Sequence, residues 1–371
     1  MFREALEAGE GILRLFPTWV PRALQIAGGR LRLDPVDLYA LGADRGGIDE
    51  RWLASTTRAQ NGPCTPPDEG LSYIWHNGRR MLLRDVVEQL AESWQVLCKL
   101  FDNAEPIALH MHQNDAQASL VGQRGKPEAY YFPKQYNAIP HKFPYTFFGL
   151  KEKTTKGQVR DCLARWNRSD NGILNLSRKY EMDVGTGWLI DCGILHAPGT
   201  LVTYEPQRNS DVGAFFQSMV GGRPMPPEML FKDVPPEYAG DIDYAVDLLD
   251  WEANLDPAFC EKRRRVPIAA SECEKWVVSG SPFFSAKELE LGPGEGAMIR
   301  DAAAYGALVI EGQGRFGVFE AEAPVLIRYG EMTRDEFFVT TRAAREGIRV
   351  VNTGPGPLVI LKHFGPGLGE A

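Results

Sequence analysis

The chain has 371 residues and a mass of 41.3 kDa, with 44% hydrophobic and 24% charged residues. That length exceeds one ordinary hydrophobic core and predicts two domains, while the balance of residue types excludes a disordered, fibrous or membrane chain. A formal net charge of −8 and a pI near 5.4 argue against a nucleic-acid partner, because sequence-independent binding needs Lys and Arg to neutralise phosphates.

Glycine and proline are frequent, at 38 and 26 residues, and cut the chain into short apolar stretches. This texture predicts many short strands joined by turns. Taken in chain order, strands are expected at 106–111, 188–190, 201–204, 307–311, 314–319, 324–329, 347–352 and 357–363, where β-branched, aromatic and apolar residues mix. Helical periodicity is confined to 83–101, 156–166 and 242–251. From about 221 to 266 the strand texture yields to acidic sequence rich in proline, with Pro224, Pro226, Pro227, Pro235 and Pro236. The expected organisation is therefore a metal-binding domain over 1–220, a Pro-rich and helical connector over 221–266, and a smaller strand-rich domain over 267–371. The run Lys262-Arg263-Arg264-Arg265 reads as a solvated connector just before a strand. Six cysteines lie far apart without a C-x-x-C pair, and no secretory leader is evident, so reduced thiols and a cytoplasmic location are expected. No apolar run reaches the roughly 18 to 20 residues of a membrane span.

The chemistry concentrates in the first domain. His110 and His112 are one residue apart in a strand-like segment, so alternation puts both rings on one face. Glu128 opens an aromatic strand, Glu128-Ala129-Tyr130-Tyr131-Phe132, where an unpartnered carboxylate is costly and two nearby imidazoles favour a cation as its partner. A third imidazole, His196, follows the strand Trp188-Leu189-Ile190 and a turn at Gly193. Three neutral imidazoles and one carboxylate suit a single divalent metal, zinc first, with iron, manganese, cobalt or nickel as alternatives, and leave positions open for water or a substrate oxygen.

At these residues the sequence resembles the cupin superfamily, whose first motif carries H-x-H and Glu and whose second carries G-x5-P-x-G-x2-H. Gly185, Gly193 and His196 fit the second motif, with Asp191 in place of its proline. A closer resemblance is to type I mannose-6-phosphate isomerases, cupin proteins that bind zinc. Asn61-Gly62-Pro63 and Leu97 to Asp102 are similar to the segment that leads into that family's first metal motif. His112-Gln113-Asn114-Asp115-Ala116-Gln117-Ala118 resembles its H-P-N-D-E-Q-A, Lys126-Pro127-Glu128 its K-P-E, and the stretch from Glu205 to Asp211 its E-x-Q-x-x-S-D. The resemblance implies a mainly β fold of two cupin jelly-roll barrels with a few decorating helices. It also implies His112, Glu128 and His196 as metal ligands, Lys126 facing the substrate, and aldose-ketose isomerisation of a small carbohydrate, free or phosphorylated.

Two positions depart from the family. His110 stands where the isomerases usually have Gln, and Phe215 where they have a catalytic arginine, for which Arg208 is the nearest substitute. Lys126, Glu205 and Asp211 are the candidate bases, Lys126 first by motif position. A three-His, one-Glu set is also of the kind that cupin oxygenases use, and loss of the arginine would fit a non-catalytic sugar-binding cupin, so both remain as alternatives. The second domain offers no H-x-H, and its only histidine, His363, is near the end. It is expected to be a metal-free barrel that walls the cleft. His76 and His141 lie outside the motifs and are expected to be packing or surface residues, though His141 could line the sugar pocket.

Overall fold

Strands alone cannot bury their apolar faces, and here they do so in four stacked antiparallel sheets, beside which the described residues form two two-stranded ribbons, Met219–Val220 with Arg223–Pro224 and Tyr73–His76 with Arg79–Leu82. The computed structural model describes residues 2–22, 24–138 and 142–368. The first sheet has five strands in the order Ser177–Glu181, Tyr145–Leu150, His196–Ala197, His110–Met111 and Ala214–Phe215. The second has seven: Arg264–Arg265, Gly187–Ile190, Glu128–Tyr131, Thr203–Arg208, Val96–Phe101, Ile48–Leu53 and Thr18–Pro21. The third, also of seven, runs Ile12–Arg14, Glu336–Val339, Tyr305–Glu311, Leu358–Phe364, Ser285–Leu291, Glu274–Val278 and Ile268–Ala269. The fourth contains Gly296–Ile299, Ile348–Asn352, Gln313–Phe316 and Phe319–Glu322. The molecule is mainly β, as its texture predicts.

Period-2 alternation gives each sheet two faces. Cys98, Leu100, Ala129, Tyr131 and Tyr204 of the second sheet pack against Leu308, Phe338, Val359 and Leu361 of the third in the largest core. On the opposite face of the second sheet, Phe101, Tyr130, Trp188 and Ile190 meet Phe148 of the first. Leu109, Met111, Leu195 and Ala197 bury the outer face of the first sheet against helices Lys156–Leu163 and Ile242–Asp247. The third and fourth sheets enclose Leu289, Ala307, Phe316, Phe337 and Val350.

Several elements differ from expectation. Residues 83–101 split into helix Leu83–Gln89 and strand Val96–Phe101, with Ala91 at φ 52° breaking the run. Every residue of that strand is buried, so its continuous apolar pattern cannot distinguish strand from helix by period. Residues 324–329 form no strand: apart from a bridge between Ile327 and Leu33 they find no strand partner, and Val325 is 92% exposed. Within 106–111 only His110–Met111 is paired, and 314–319 turns at Gly317 into a hairpin. At the start of the chain, Ile12–Arg14 pairs with Glu336–Val339, so this segment completes the third sheet, not the first or second.

The connector is folded and has a positional role. Asn254, in helix Trp251–Leu255, is fully buried and binds Leu195 N at 2.9 Å and Gly193 O at 2.7 Å, which braces the turn that delivers His196. Gly193 has φ 79°, and a Cβ there would stand 2.7 Å from Asp250 N, so only glycine fits. The basic run is matched to acids: Lys262 with Asp256, Arg263 with Asp191 and Arg264 with Asp183. None of the six cysteines is bonded to another. No helix among the described residues is long and apolar enough to cross a membrane.

Candidate metal centre

Two neighbouring strands of the first sheet place the imidazoles, His110 within and His112 just beyond one, and His196 in the next. His110 is the register partner of His196 on one side and of Phe215 on the other. Alternation turns His112 to the same face, and its ring centroid lies 5.1 Å from that of His110 and 5.0 Å from that of His196. One ligand atom from each of the three lies within 4.8 Å of the others, a grouping that could hold a metal ion. Glu128 reaches them from the second sheet, with Oε2 at 3.0 Å from His112 Nε2 and Oε1 at 3.2 Å from His196 Nε2. All four side chains are buried.

The backbone decides which nitrogen of each ring is bare. Nδ1 of His110, His112 and His196 lies 2.7, 2.7 and 2.8 Å from the carbonyls of Ala108, Val212 and Ile194, so each Nδ1 carries the hydrogen and donates. Nε2 is then an acceptor in all three. Burial, then the neighbouring His196 and His112, hold His110 well below its ordinary pKa, and burial with Lys126 brings His112 down to about 3, so both are neutral at pH 7. Glu128 resists its own burial because the charge of Lys126 holds it well below the usual carboxylate range. Nε2 of His112 and of His196 therefore face the Glu128 carboxylate at 3.0 and 3.2 Å, and neither Glu128 oxygen nor His196 Nε2 has a well-aligned hydrogen-bond donor. Buried acceptors in this state call for a cation. Two ligand atoms each about 2.1 Å from one ion would lie no more than about 4.2 Å apart, and the Glu128 contacts at 3.0 and 3.2 Å meet that limit.

The centre opens into a cavity of about 420 Å³ lined by both chemistry-bearing and apolar side chains. Lys126 lies 3.0 Å from His112 Nε2, 3.1 Å from Glu128 and 3.9 Å from Glu205. Burial and the charge of Glu128 push the Glu205 carboxyl up to about 8. Asp211 also lines the cavity, where Arg22 grips both its oxygens at 3.1 and 2.9 Å. Despite burial, Arg22 and Lys232 keep its pKa low, so it is an anchored anion and a poor base.

Arg208 requires correction. Along Thr203–Arg208, Glu205 faces the cavity while Tyr204 faces the third sheet, and Arg208 has the parity of Tyr204. It pairs instead with Asp115 at 2.6 Å and lies over Phe283, outside the cavity. The arginine that does enter is Arg22, which no motif indicates. Glu50, Lys99 and Lys232 were also unanticipated cavity residues. For Glu50 and Lys99 a signal existed, since each is a charge inside a buried strand and so needs a partner, the same argument that singles out Glu128.

His363 is buried in the interface between the second and third sheets, with Nδ1 3.0 Å from the Tyr204 hydroxyl. His76 pairs with Glu4 at 3.2 Å, and His141 lies outside the described residues.

No protein-family model and no curated protein sequence matches the chain. Solved structures do. The mannose 6-phosphate isomerase of Bacillus subtilis is 18% identical and superposes with a TM-score of 0.63, covering 95% of this chain and 99% of that one. A point variant of the phosphomannose isomerase of Salmonella typhimurium is 13% identical, with a TM-score of 0.64 over 96% and 100% of the two chains. A mannose 6-phosphate isomerase bound with zinc and yttrium is 14% identical, with a TM-score of 0.61 over 95% and 99%. Across nearly its whole length the chain has the cupin fold of these phosphomannose isomerases.

Proposed function

We propose that the protein is a metal-dependent aldose-ketose isomerase, a divergent relative of the mannose-6-phosphate isomerases. The observation that carries this reading is the set of buried acceptors, three imidazole Nε2 atoms and the Glu128 carboxylate, that face one another beside a cavity holding Lys126 and Glu205. His110, His112, Glu128 and His196 would hold one divalent ion, zinc first, as in the zinc-bound isomerase of the same fold. When bound, such an ion supplies Lewis-acid polarisation of adjacent carbonyl and hydroxyl oxygens.

The chain's own residues supply the proton transfers. Lys126, first by its place in the K-P-E motif, takes the proton from C2 of the aldose and returns it to C1. Glu205 stands 3.9 Å from it, and its raised pKa leaves it a proton to donate at O1 while it recovers one from O2. Asp211, fixed by Arg22, orients sugar hydroxyls. Phe101, Tyr130 and Phe215 cover the reacting carbons and exclude water.

The same proposal includes a metal-holding cupin barrel built of the first and second sheets, a connector over 221–266, and a metal-free barrel of the third and fourth sheets. It also places the protein in the cytoplasm. The experiment is proton exchange in D2O: a panel of aldoses, ketoses and their phosphates is incubated with protein and followed by NMR. At least one should exchange its C2 proton with solvent, and absence of exchange across the panel would sink isomerisation.

A further inference from the structure

We propose that the substrate is a neutral, unphosphorylated sugar of monosaccharide size; this rests on the isomerase reading. A phosphate monoester brings close to two negative charges and three strong acceptor oxygens, and a buried site must meet them with cations or N–H groups that have no other commitment. Among the described residues this cavity offers three cations besides the proposed base Lys126, namely Arg22, Lys99 and Lys232, and every one is already matched to a carboxylate.

Arg22 spends its donors on Glu50 at 3.0 Å, on Asn61 at 2.9 Å and on both oxygens of Asp211. Lys99 sits 3.1 Å from Glu50 and 3.5 Å from Glu205. Lys126 lies 3.1 Å from Glu128, and Lys232 pairs with Asp233 while donating to the Asp211 carbonyl at 2.9 Å. The pairing survives protonation of Glu205, because Lys99 keeps Glu50. Drawing any of these cations to a phosphate would leave a buried carboxylate without its counter-charge. Backbone donors on the rim are taken as well: Gln60 N by Asp211 at 3.2 Å, Asn61 N by Thr65 at 3.0 Å and Gly213 N by Asp233 at 3.0 Å.

Apart from Gln25, whose buried Oε1 has no hydrogen-bond partner, the cavity offers uncommitted side chains that are apolar. Leu24, Phe101, Ile107, Tyr130, Phe215 and Met229 line it. Phe215 stacks on His110 with ring centroids 5.4 Å apart, which sets an aromatic face beside the ligand cluster. The face of a ring carries partial negative charge, so it suits the C–H side of a sugar and opposes a phosphate. The volume, about 420 Å³, lies toward the low end of small-molecule sites, as a monosaccharide requires.

The test is calorimetric binding to the metal-loaded protein of free hexoses and pentoses, each beside its terminal phosphate, with C2 exchange recorded on the same samples. At least one free sugar should bind at least about tenfold more tightly than its phosphate. Equal or tighter binding of the phosphates, or no binding of any free sugar, would overturn the proposal. Binding of a free sugar without exchange would overturn the isomerase reading and leave the substrate class standing, whereas exchange confined to phosphates would do the reverse. In Asp211→Asn, which releases Arg22, the preference should move about tenfold toward the phosphate. An unchanged preference in a folded variant would contradict the charge-pairing argument.

Discussion

His110 and Phe215, the two positions at which the chain departs from the isomerase pattern, are register partners on adjacent strands and stack on each other. In one wall of the cavity, therefore, the third imidazole and the aromatic ring form a single contact. Arg208 brings no charge to this wall, because strand parity directs it out of the cavity and onto Asp115. Arg208→Ala should accordingly change the C2 exchange rate by less than about twofold. Lys126→Ala should lower it by about 10² to 10⁴, the usual worth of a positioned acid or base. Comparable losses in both variants would return Arg208 to the chemistry and would contradict the placement described above.

At the scale of elements, the cluster of His110, His112, His196 and Glu128 was legible because its signals are local. H-x-H on a strand, a carboxylate opening an aromatic strand and a histidine after a glycine turn each follow from alternation and the cost of burying charge. The same two rules applied to Ile48–Leu53 and Val96–Phe101 would have found Glu50 and Lys99, and parity within Thr203–Arg208 would have rejected Arg208. Arg22 and Lys232 were not legible, since both reach the cavity from outside regular elements and are selected only by where those segments pass. Doubly buried strands such as Val96–Phe101 hide their period, and residues 324–329 have strand composition but gain no strand partner. Pairing across long sequence separations, as between Ile12–Arg14 and Glu336–Val339, leaves no local trace.

Across the whole molecule the second sheet joins two tasks, with one face toward the metal centre and the other against the third sheet. Arg51 ties that interface together, with both oxygens of Asp335 at 2.8 and 2.9 Å and Glu336 at 2.8 Å. Burial outweighs Arg51 and raises the Glu336 carboxyl from 4.5 to about 7. Between those values the folded state keeps a proton that the unfolded chain has released, so the contribution of Glu336 to stability falls as pH rises through that window. Relative to wild type, Glu336→Gln should therefore gain unfolding free energy in urea between about pH 4.5 and pH 7, and a constant difference would contradict the raised pKa. The metal centre on the other face is tested most directly by elemental analysis of the purified protein and of His196→Ala and Glu128→Ala. Wild type should carry about one divalent ion per chain and both variants clearly less; a metal-free wild type, or full occupancy in both variants, would contradict the account.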